Sequence, residues 1–157
     1  MHLASRRMLK DFFALADVYP DEKIEDLEPM IDISEDERGV VVTFQEKVLF
    51  KSGEVEINRA MFPILDSIAK VLGAVSNEIL IMGHSDNVPI HTGRYRSNWD
   101  LSLYRALNVH SYFVEKKDLC PKRFGVGGYG DVRPLSPDNT KEAREKNRRV
   151  EIILRRA

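Results

Sequence analysis

The order of strand-like and helix-like segments constrains the fold of this chain more than any other feature. Short β-branched, apolar runs predict strands at residues 40–44, 79–82, 123–126 and 149–154. Apolar residues at helical spacing predict helices at residues 58–72 and 98–115, the first becoming regular near Pro63. This alternation predicts an α/β two-layer sandwich, with a four-stranded sheet and helices on one face of it.

The first 36 residues predict a separate N-terminal region. Residues 3–16 place most of their apolar side chains on one side of a helix, among them Leu9, Phe12 and Phe13. This apolar side needs a partner, either the rest of the chain or a second copy. Residues 17–37 contain ten acidic residues, one lysine and two prolines, which is typical of a linker or a loosely packed arm. We therefore divide the chain into residues 1–36 and 37–157.

Residues 83–106 carry the main candidate binding site. The segment begins where a predicted strand ends, continues through a polar loop that carries Asp86, and ends in a predicted helix that carries Arg105. A carboxylate pairs with an ammonium group, and a guanidinium binds a carboxylate through parallel N–H groups. The two side chains therefore predict a site for a zwitterionic ligand such as an amino acid. An ion pair that ties the loop to the helix would explain the same two residues.

The helix of Arg105 is predicted to begin at a cap formed by Ser97 or Asn98. Trp99 is predicted to be a core anchor on the apolar side of this helix, and Arg105 lies at the margin of that side. The other residues predicted on the apolar side are Leu103, Ala106, Val109, His110 and Phe113.

The loop before this helix, residues 87–96, carries apolar side chains at Val88, Ile90 and Tyr95. Such side chains are unusual in a fully solvated loop. We therefore expect the loop to fold over the neighbouring surface beside the candidate site.

Several spaced motifs resemble those of the OmpA-like peptidoglycan-binding domain. The family pattern GHTD, a variable loop and N-x-x-L-S-x-x-R-A corresponds here to Gly83, His84, Ser85, Asp86, Asn98, Leu101, Ser102, Arg105 and Ala106. The NRRVE run at residues 147–151 resembles the start of the family's last strand. Ser85 replaces the usual threonine but keeps its hydroxyl. The loop from Asp86 to Asn98 is longer than in short-loop members and is similar to that of the MotB type, the stator subunit of the bacterial flagellar motor.

The resemblance implies non-enzymatic, non-covalent binding of peptidoglycan through its diaminopimelate-containing stem peptide, with no cofactor and no metal. Such binding would anchor a flagellar motor stator to the cell wall. The residues that the resemblance implies for peptidoglycan binding are Asp86, Arg105, Asn98, Ser85, Asn87, Leu101, Asn147 and Arg148. Because Arg148 and Arg149 alternate across a strand, at most one of them faces the site.

Proteins of the MotB type carry a single transmembrane helix before this domain, and their domains are often dimeric. We therefore expect a periplasmic domain, anchored in the inner membrane by a segment absent from this chain. The expected partners are peptidoglycan, a second copy of the chain and the ion-channel subunit of the stator. An OmpA-type envelope protein or lipoprotein that tethers the outer membrane to peptidoglycan is the alternative.

Other classes of function find less support in the sequence. A cell-wall peptide hydrolase with His84 or Asp86 as base would also need a positioned nucleophile, and the sequence supplies none. A metal site of His84, Asp86 and His91 matches no strong ligand spacing. The net charge of −1 argues against a nucleic-acid binder, and the single Cys120 excludes an intrachain disulfide. The sequence contains no apolar run long enough to span a membrane.

Overall fold

The structure, a computed structural model, describes residues 3–17, 26, 29–51, 53–89 and 93–156 of the 157-residue chain. The helices are α1 (Leu3–Ala14), α2 (Glu46–Leu49), α3 (Phe62–Ala74), α4 (Asn98–Ser111) and α5 (Lys141–Asn147). The strands are β1 (Ile31–Asp36), β2 (Gly39–Gln45), β3 (Ile79–His84), β4 (Phe124–Gly128) and β5 (Arg149–Arg155). They form one sheet in the order β1-β2-β5-β3-β4. Neighbouring strands are antiparallel except β3 and β4, which are parallel, so the sheet is mixed.

The sheet has five strands where the sequence predicted four, and the additional strand is β1. It lies within the acidic stretch, residues 17–37, that was predicted to be a linker. Ile31 and Ile33 face the core, while the polar residues between and after them are exposed or half-buried. This alternation is the pattern of a half-buried edge strand, and the high acidic content concealed it. The residues of β1 are therefore part of the sheet and not of a linker.

One face of the sheet packs against α1, α3 and α4, as the two-layer prediction required. Alternate residues of all five strands point toward this core, because side chains along a strand alternate between faces. The apolar side of α1 packs against the same chain. Leu9, Phe12 and Phe13 are buried, and the helix contacts β1 and α3.

The start of α3 agrees with the prediction from Pro63. Asn58 caps a short 3₁₀ turn, Arg59–Met61, by accepting a hydrogen bond from the backbone N–H of Ala60. The α-helix itself begins at Phe62, with the proline in its first turn, where a missing N–H costs nothing.

Helix α4 packs on the sheet through a side that matches the prediction only in part, since Ala106, Val109 and Phe113 are buried as predicted. Trp99 was expected to be a core anchor, but it is 47% exposed, and Leu103 is 37% exposed. The residues that α4 buries are Leu101, Ser102, Arg105, Ala106 and Val109. The reason is the close approach of the helix to the glycines of the strands. A Cβ at Gly83 would lie 2.0 Å from the carbonyl oxygen of Ser102, so the helix can sit only above a glycine. The indole of Trp99 instead packs on Gly130 at the edge of the sheet.

This close approach predicts that Gly83→Ala will lower the free energy of unfolding by about 1 to 3 kcal/mol, the usual cost of overpacking. The added methyl would push α4 away from β3 because the obstructing atom is backbone. Gly93→Ala is a suitable control, since a Cβ there meets nothing within 4 Å. Urea unfolding of both variants measures the difference. Equal stability of the two variants would show that the helix can move outward at no cost.

Candidate functional site

Asp86 is held in place by the loop that follows β3. The backbone N–H of Ser85 donates to the carbonyl of Gly130 at 2.8 Å, which fixes the chain where the strand ends. The Oδ1 of Asp86 accepts from the N–H of Val88 at 3.0 Å, and its Oδ2 lies 2.6 Å from Nη1 of Arg148. The residue is buried. The carboxylate therefore has a fixed orientation and a cation beside it.

Arg105 approaches the same edge of the sheet from the second turn of α4. Its Nε and Nη2 both donate to the backbone carbonyl of Glu54, at 3.0 and 2.9 Å. Its Nη1 lies 2.8 Å from Oε2 of Glu46, and its guanidinium lies 5.1 Å from the ring centre of Phe50. The side chain is only 6% exposed. This guanidinium is thus fixed in position, as planar recognition of a carboxylate requires.

Asp86 and Arg105 are not paired with each other. Arg148 and Glu46 lie between them, and Nε of Arg148 is 3.5 Å from Oε2 of Glu46. The four side chains form a row of alternating charge: Asp86, Arg148, Glu46, Arg105. We call this row the charge row. The alternative interpretation, a direct ion pair between Asp86 and Arg105, is therefore wrong.

Glu46 is the residue of this site that sequence reasoning missed. It follows β2 directly and begins α2, and its backbone N–H donates to the carbonyl of Arg148 at 2.8 Å. Its position at the site depends on the antiparallel pairing of β2 with β5. No local motif marks this residue, so only the strand register reveals it.

Asn98 does not cap helix α4. Ser97 is the cap, since its Oγ accepts from the N–H of Asp100 at 3.3 Å. The amide of Asn98 instead donates to the carbonyls of Asp86 and Val88, at 3.3 and 3.0 Å. Asn98 therefore holds the loop that carries the candidate carboxylate, because its two hydrogen bonds join that loop to the start of α4.

Asn147 and Leu101 support the site from within the fold. The amide of Asn147 accepts from the N–H groups of Leu135 and Ser136 and donates to the carbonyl of Ser136, so it fixes the preceding loop. Leu101 is buried on α4. Neither side chain belongs to the charge row.

Ser85 and Asn87 flank Asp86. The hydroxyl of Ser85 donates to the carbonyl of Asp86 at 2.9 Å, whereas Asn87 is exposed beside it. Of the two consecutive arginines, Arg148 lies at the site and Arg149 is buried next to Glu151 on the other face of the sheet. Ser85 therefore stabilises the loop, and Asn87 is free to meet a ligand.

The loop at residues 87–96 is described only in part. Tyr95 is buried, and its ring centre lies 5.9 Å from that of Tyr104 on α4, as expected for a loop that folds onto its neighbours. Val88 contradicts that expectation, because it is 52% exposed. Ile90 lies outside the described residues, as does His91 of the considered metal site.

His84 faces away from the charge row and belongs to a buried cluster on the open face of the sheet. Its Nε2 lies 2.6 Å from Oε1 of Glu151, and both side chains are almost fully buried. Glu151 also accepts hydrogen bonds from Arg38. Burial lowers the pKa of His84 and outweighs the opposite effect of Glu151. The imidazole is therefore neutral near pH 7. It is buried and stacks on the ring of Tyr129, so a substrate cannot reach it.

Two kinds of feature are absent from the part of the chain that the structure describes. Among those residues, His, Cys, Asp and Glu side chains form no group of three or more that could hold a metal ion. Within the same residues, no helix is long and apolar enough to cross a membrane.

Comparison with known proteins defines the class. The OmpA family model matches residues 49–148, so the chain belongs to the OmpA family. It is similar to Motility protein B of Bacillus subtilis (strain 168), with 35% identity over 131 residues that cover 82% of this chain and 49% of the relative. The chain spans about half the length of the curated relatives that it matches.

Two solved structures share the fold along almost the whole chain. One is a MotB-like protein from Desulfovibrio vulgaris, with a TM-score of 0.80, 28% identity and coverage of 98% of this chain and 95% of that chain. The other is the cell wall anchor of the T6SS from Pseudomonas aeruginosa, with a TM-score of 0.77, 32% identity and coverage of 94% and 97%. The sandwich with its N-terminal helix is thus a known architecture.

Proposed function

We propose that this chain binds peptidoglycan without covalent chemistry and so anchors a larger assembly to the cell wall. The observation that carries the proposal is the placement of a fixed carboxylate, Asp86, and a fixed guanidinium, Arg105, at one edge of the sheet. Membership of the OmpA family and the likeness to a protein described as a cell wall anchor support it.

The proposed ligand is the diaminopimelate side chain of the stem peptide, whose free end carries an ammonium group and a carboxylate. Asp86 would bind the ammonium group, and Arg105 would bind the carboxylate, each through charge-assisted hydrogen bonds. Asn98 and Ser85 would keep Asp86 in place, while Leu101 and Asn147 would support the surrounding fold. Asn87, exposed beside Asp86, would be available to the rest of the peptide.

The proposed role of the whole protein follows from its similarity to Motility protein B. We propose that the chain is the periplasmic part of a flagellar motor stator, that it forms a homodimer, and that it acts with an ion-channel subunit. A segment absent from this chain would anchor it in the inner membrane. An OmpA-type envelope protein would bind peptidoglycan through the same site but lack the channel partner, so co-purification with a channel subunit distinguishes the two.

A hydrolase remains unsupported by the site. His84 is buried against Glu151, and Asp86 is engaged by Arg148, so neither is paired with a nucleophile as acyl transfer would require. Incubation of the protein with peptidoglycan fragments, followed by analysis of the products, is expected to show no cleavage.

Co-sedimentation with purified insoluble peptidoglycan tests the proposed function. The chain is expected to pellet with diaminopimelate-containing peptidoglycan and to be released by an excess of the soluble stem peptide. Chitin, which has a related glycan but no peptide, serves as the control and is expected to leave the protein in solution. Equal sedimentation with both polymers would contradict recognition of the peptide.

A further inference from the structure

Glu46 occupies part of the surface of Arg105 that the proposed ligand needs. The Nε and Nη2 groups of this arginine already donate to the carbonyl of Glu54, a backbone contact that a ligand cannot easily replace. Its remaining nitrogen, Nη1, lies 2.8 Å from the carboxylate of Glu46. A ligand carboxylate that binds through both Nη groups must therefore compete with the carboxylate of Glu46 for Nη1.

The two partners differ in their freedom to move. Arg105 is 6% exposed and is held by three contacts, whereas the side chain of Glu46 is 21% exposed. Glu46 also has a second cation within reach, because Nε of Arg148 is 3.5 Å from the same carboxylate oxygen. If Glu46 moved away from Arg105, it would lose one ion pair but remain paired with Arg148, so its charge would not be left buried without a partner.

We propose that Glu46 is an internal competitor of the ligand carboxylate, and that it sets the affinity of the site. The inference rests on the proposed function. The ligand carboxylate takes the place of Glu46 on Arg105, and the ligand ammonium group takes the place of Arg148 on Asp86. The displaced Glu46 and Arg148 then pair with each other. The charge row thereby exchanges two internal ion pairs for two ligand contacts and keeps one internal pair.

The sign of the effect follows from this exchange. Glu46→Gln keeps the size of the side chain and a hydrogen-bond acceptor, but it removes the charge that competes for Arg105. A neutral acceptor holds a guanidinium less strongly than a carboxylate does, so the ligand has less to displace. The affinity for the ligand is expected to rise about fivefold, the ratio that corresponds to about 1 kcal/mol. If Glu46 instead bound the ligand ammonium group, the same substitution would lower the affinity.

Isothermal titration of the intact chain with a soluble diaminopimelate-containing stem peptide tests the proposal. Glu145→Gln is the matched control, because Glu145 pairs with Lys47, the neighbour of Glu46, and its replacement changes the net charge equally. Glu46→Gln is expected to bind about fivefold tighter than the wild type, and Glu145→Gln is expected to bind equally. Glu46→Asp, which keeps the charge on a shorter side chain, is the second variant if the glutamine variant does not fold, and it is expected to bind tighter as well.

The outcomes separate the two proposals. Binding by the wild type together with unchanged or weaker binding by Glu46→Gln would overturn the competitor role and leave the proposed function in place. A similar gain in Glu145→Gln would also overturn it, because net charge alone would then explain the effect. Binding by neither the wild type nor any variant would overturn the proposed function, and the competitor role with it.

Discussion

Replacing Glu151 with glutamine is expected to lower the free energy of unfolding by about 3 to 5 kcal/mol, the usual cost of removing one partner from a buried ion cluster. Glu151 lies in the middle of β5 and is in contact with His84, Arg38 and Arg149. The guanidinium of Arg149 is 3% exposed and would lose the only carboxylate within 4 Å of it among the described residues. An unpaired buried cation is the main source of the predicted loss.

The pH dependence of this stabilisation has a definite sign. Burial raises the pKa of Glu151. The contact with His84, the hydrogen bonds from Arg38 and the charge of Arg149 lower it by more, so that the net pKa is about 2. The ordinary value is 4.5. Because the pKa is lower in the folded state, the stabilisation is complete above about pH 4.5 and is lost as the pH falls toward 2. The difference between wild type and variant should therefore shrink over this interval.

Urea unfolding at pH 7 and at intervals down to pH 3 measures both effects. Glu78→Gln is the matched control, because Glu78 forms an exposed ion pair with Arg155, which lies on β5 as Glu151 does. Exposed ion pairs contribute about 0.2 to 1 kcal/mol to stability. A loss at Glu151 no larger than the loss at Glu78 would show that water reaches the cluster and solvates its charges.

Peptidoglycan binding is expected to weaken about tenfold to a hundredfold in Asp86→Asn and in Arg105→Lys, the range for one lost charge-assisted contact. The asparagine keeps the shape of Asp86 but cannot form an ion pair with an ammonium group. The lysine keeps the charge of Arg105 but lacks the planar fork that binds a carboxylate with two N–H groups. These conservative variants are preferable to alanine, because truncating the buried Arg105 would leave the carbonyl of Glu54 without its donors.

Titration with the soluble stem peptide, alongside thermal melting, checks this prediction. Asp138→Asn, a substitution at an exposed position, is the control for net charge and is expected to bind like the wild type. Undiminished binding by folded Asp86→Asn and Arg105→Lys would place the ligand elsewhere on the protein.

The sequence predicted the fold wherever the apolar pattern had one clear period. The runs that became β2, β3, β4 and β5 are apolar over most of their length, and they were located within one or two residues. Strand β1 was missed, because its two core-facing isoleucines alternate with acidic and polar residues that dominate the composition. The packing side of α4 was predicted only in part, with Trp99 and Leu103 exposed instead of buried. The reason is that the periodicity of apolar residues cannot show how closely a glycine lets a helix approach.

The candidate site was also predicted only in part: its two main residues were identified from the sequence, but the ion pairs that they form were not. Asp86 and Arg105 could be identified because both lie in one continuous motif of loop and helix. The pairs that they form with Arg148 and Glu46 join the ends of β5 and β2, and these contacts exist only once the strands are aligned. Sequence spacing predicts that Asp86 and Arg105 lie at one edge of the sheet, but it does not reveal Glu46. The alternating order of those charges is a property of the register.

The most direct test of the central claim changes the ligand instead of the protein. Diaminopimelate and lysine differ in the stem peptide by one carboxylate, the group that Arg105 is proposed to bind. Two soluble stem peptides that differ only at this residue would be titrated into the wild-type chain. The proposed site predicts that the lysine peptide binds about tenfold to a hundredfold more weakly. Equal affinity for the two peptides would contradict it.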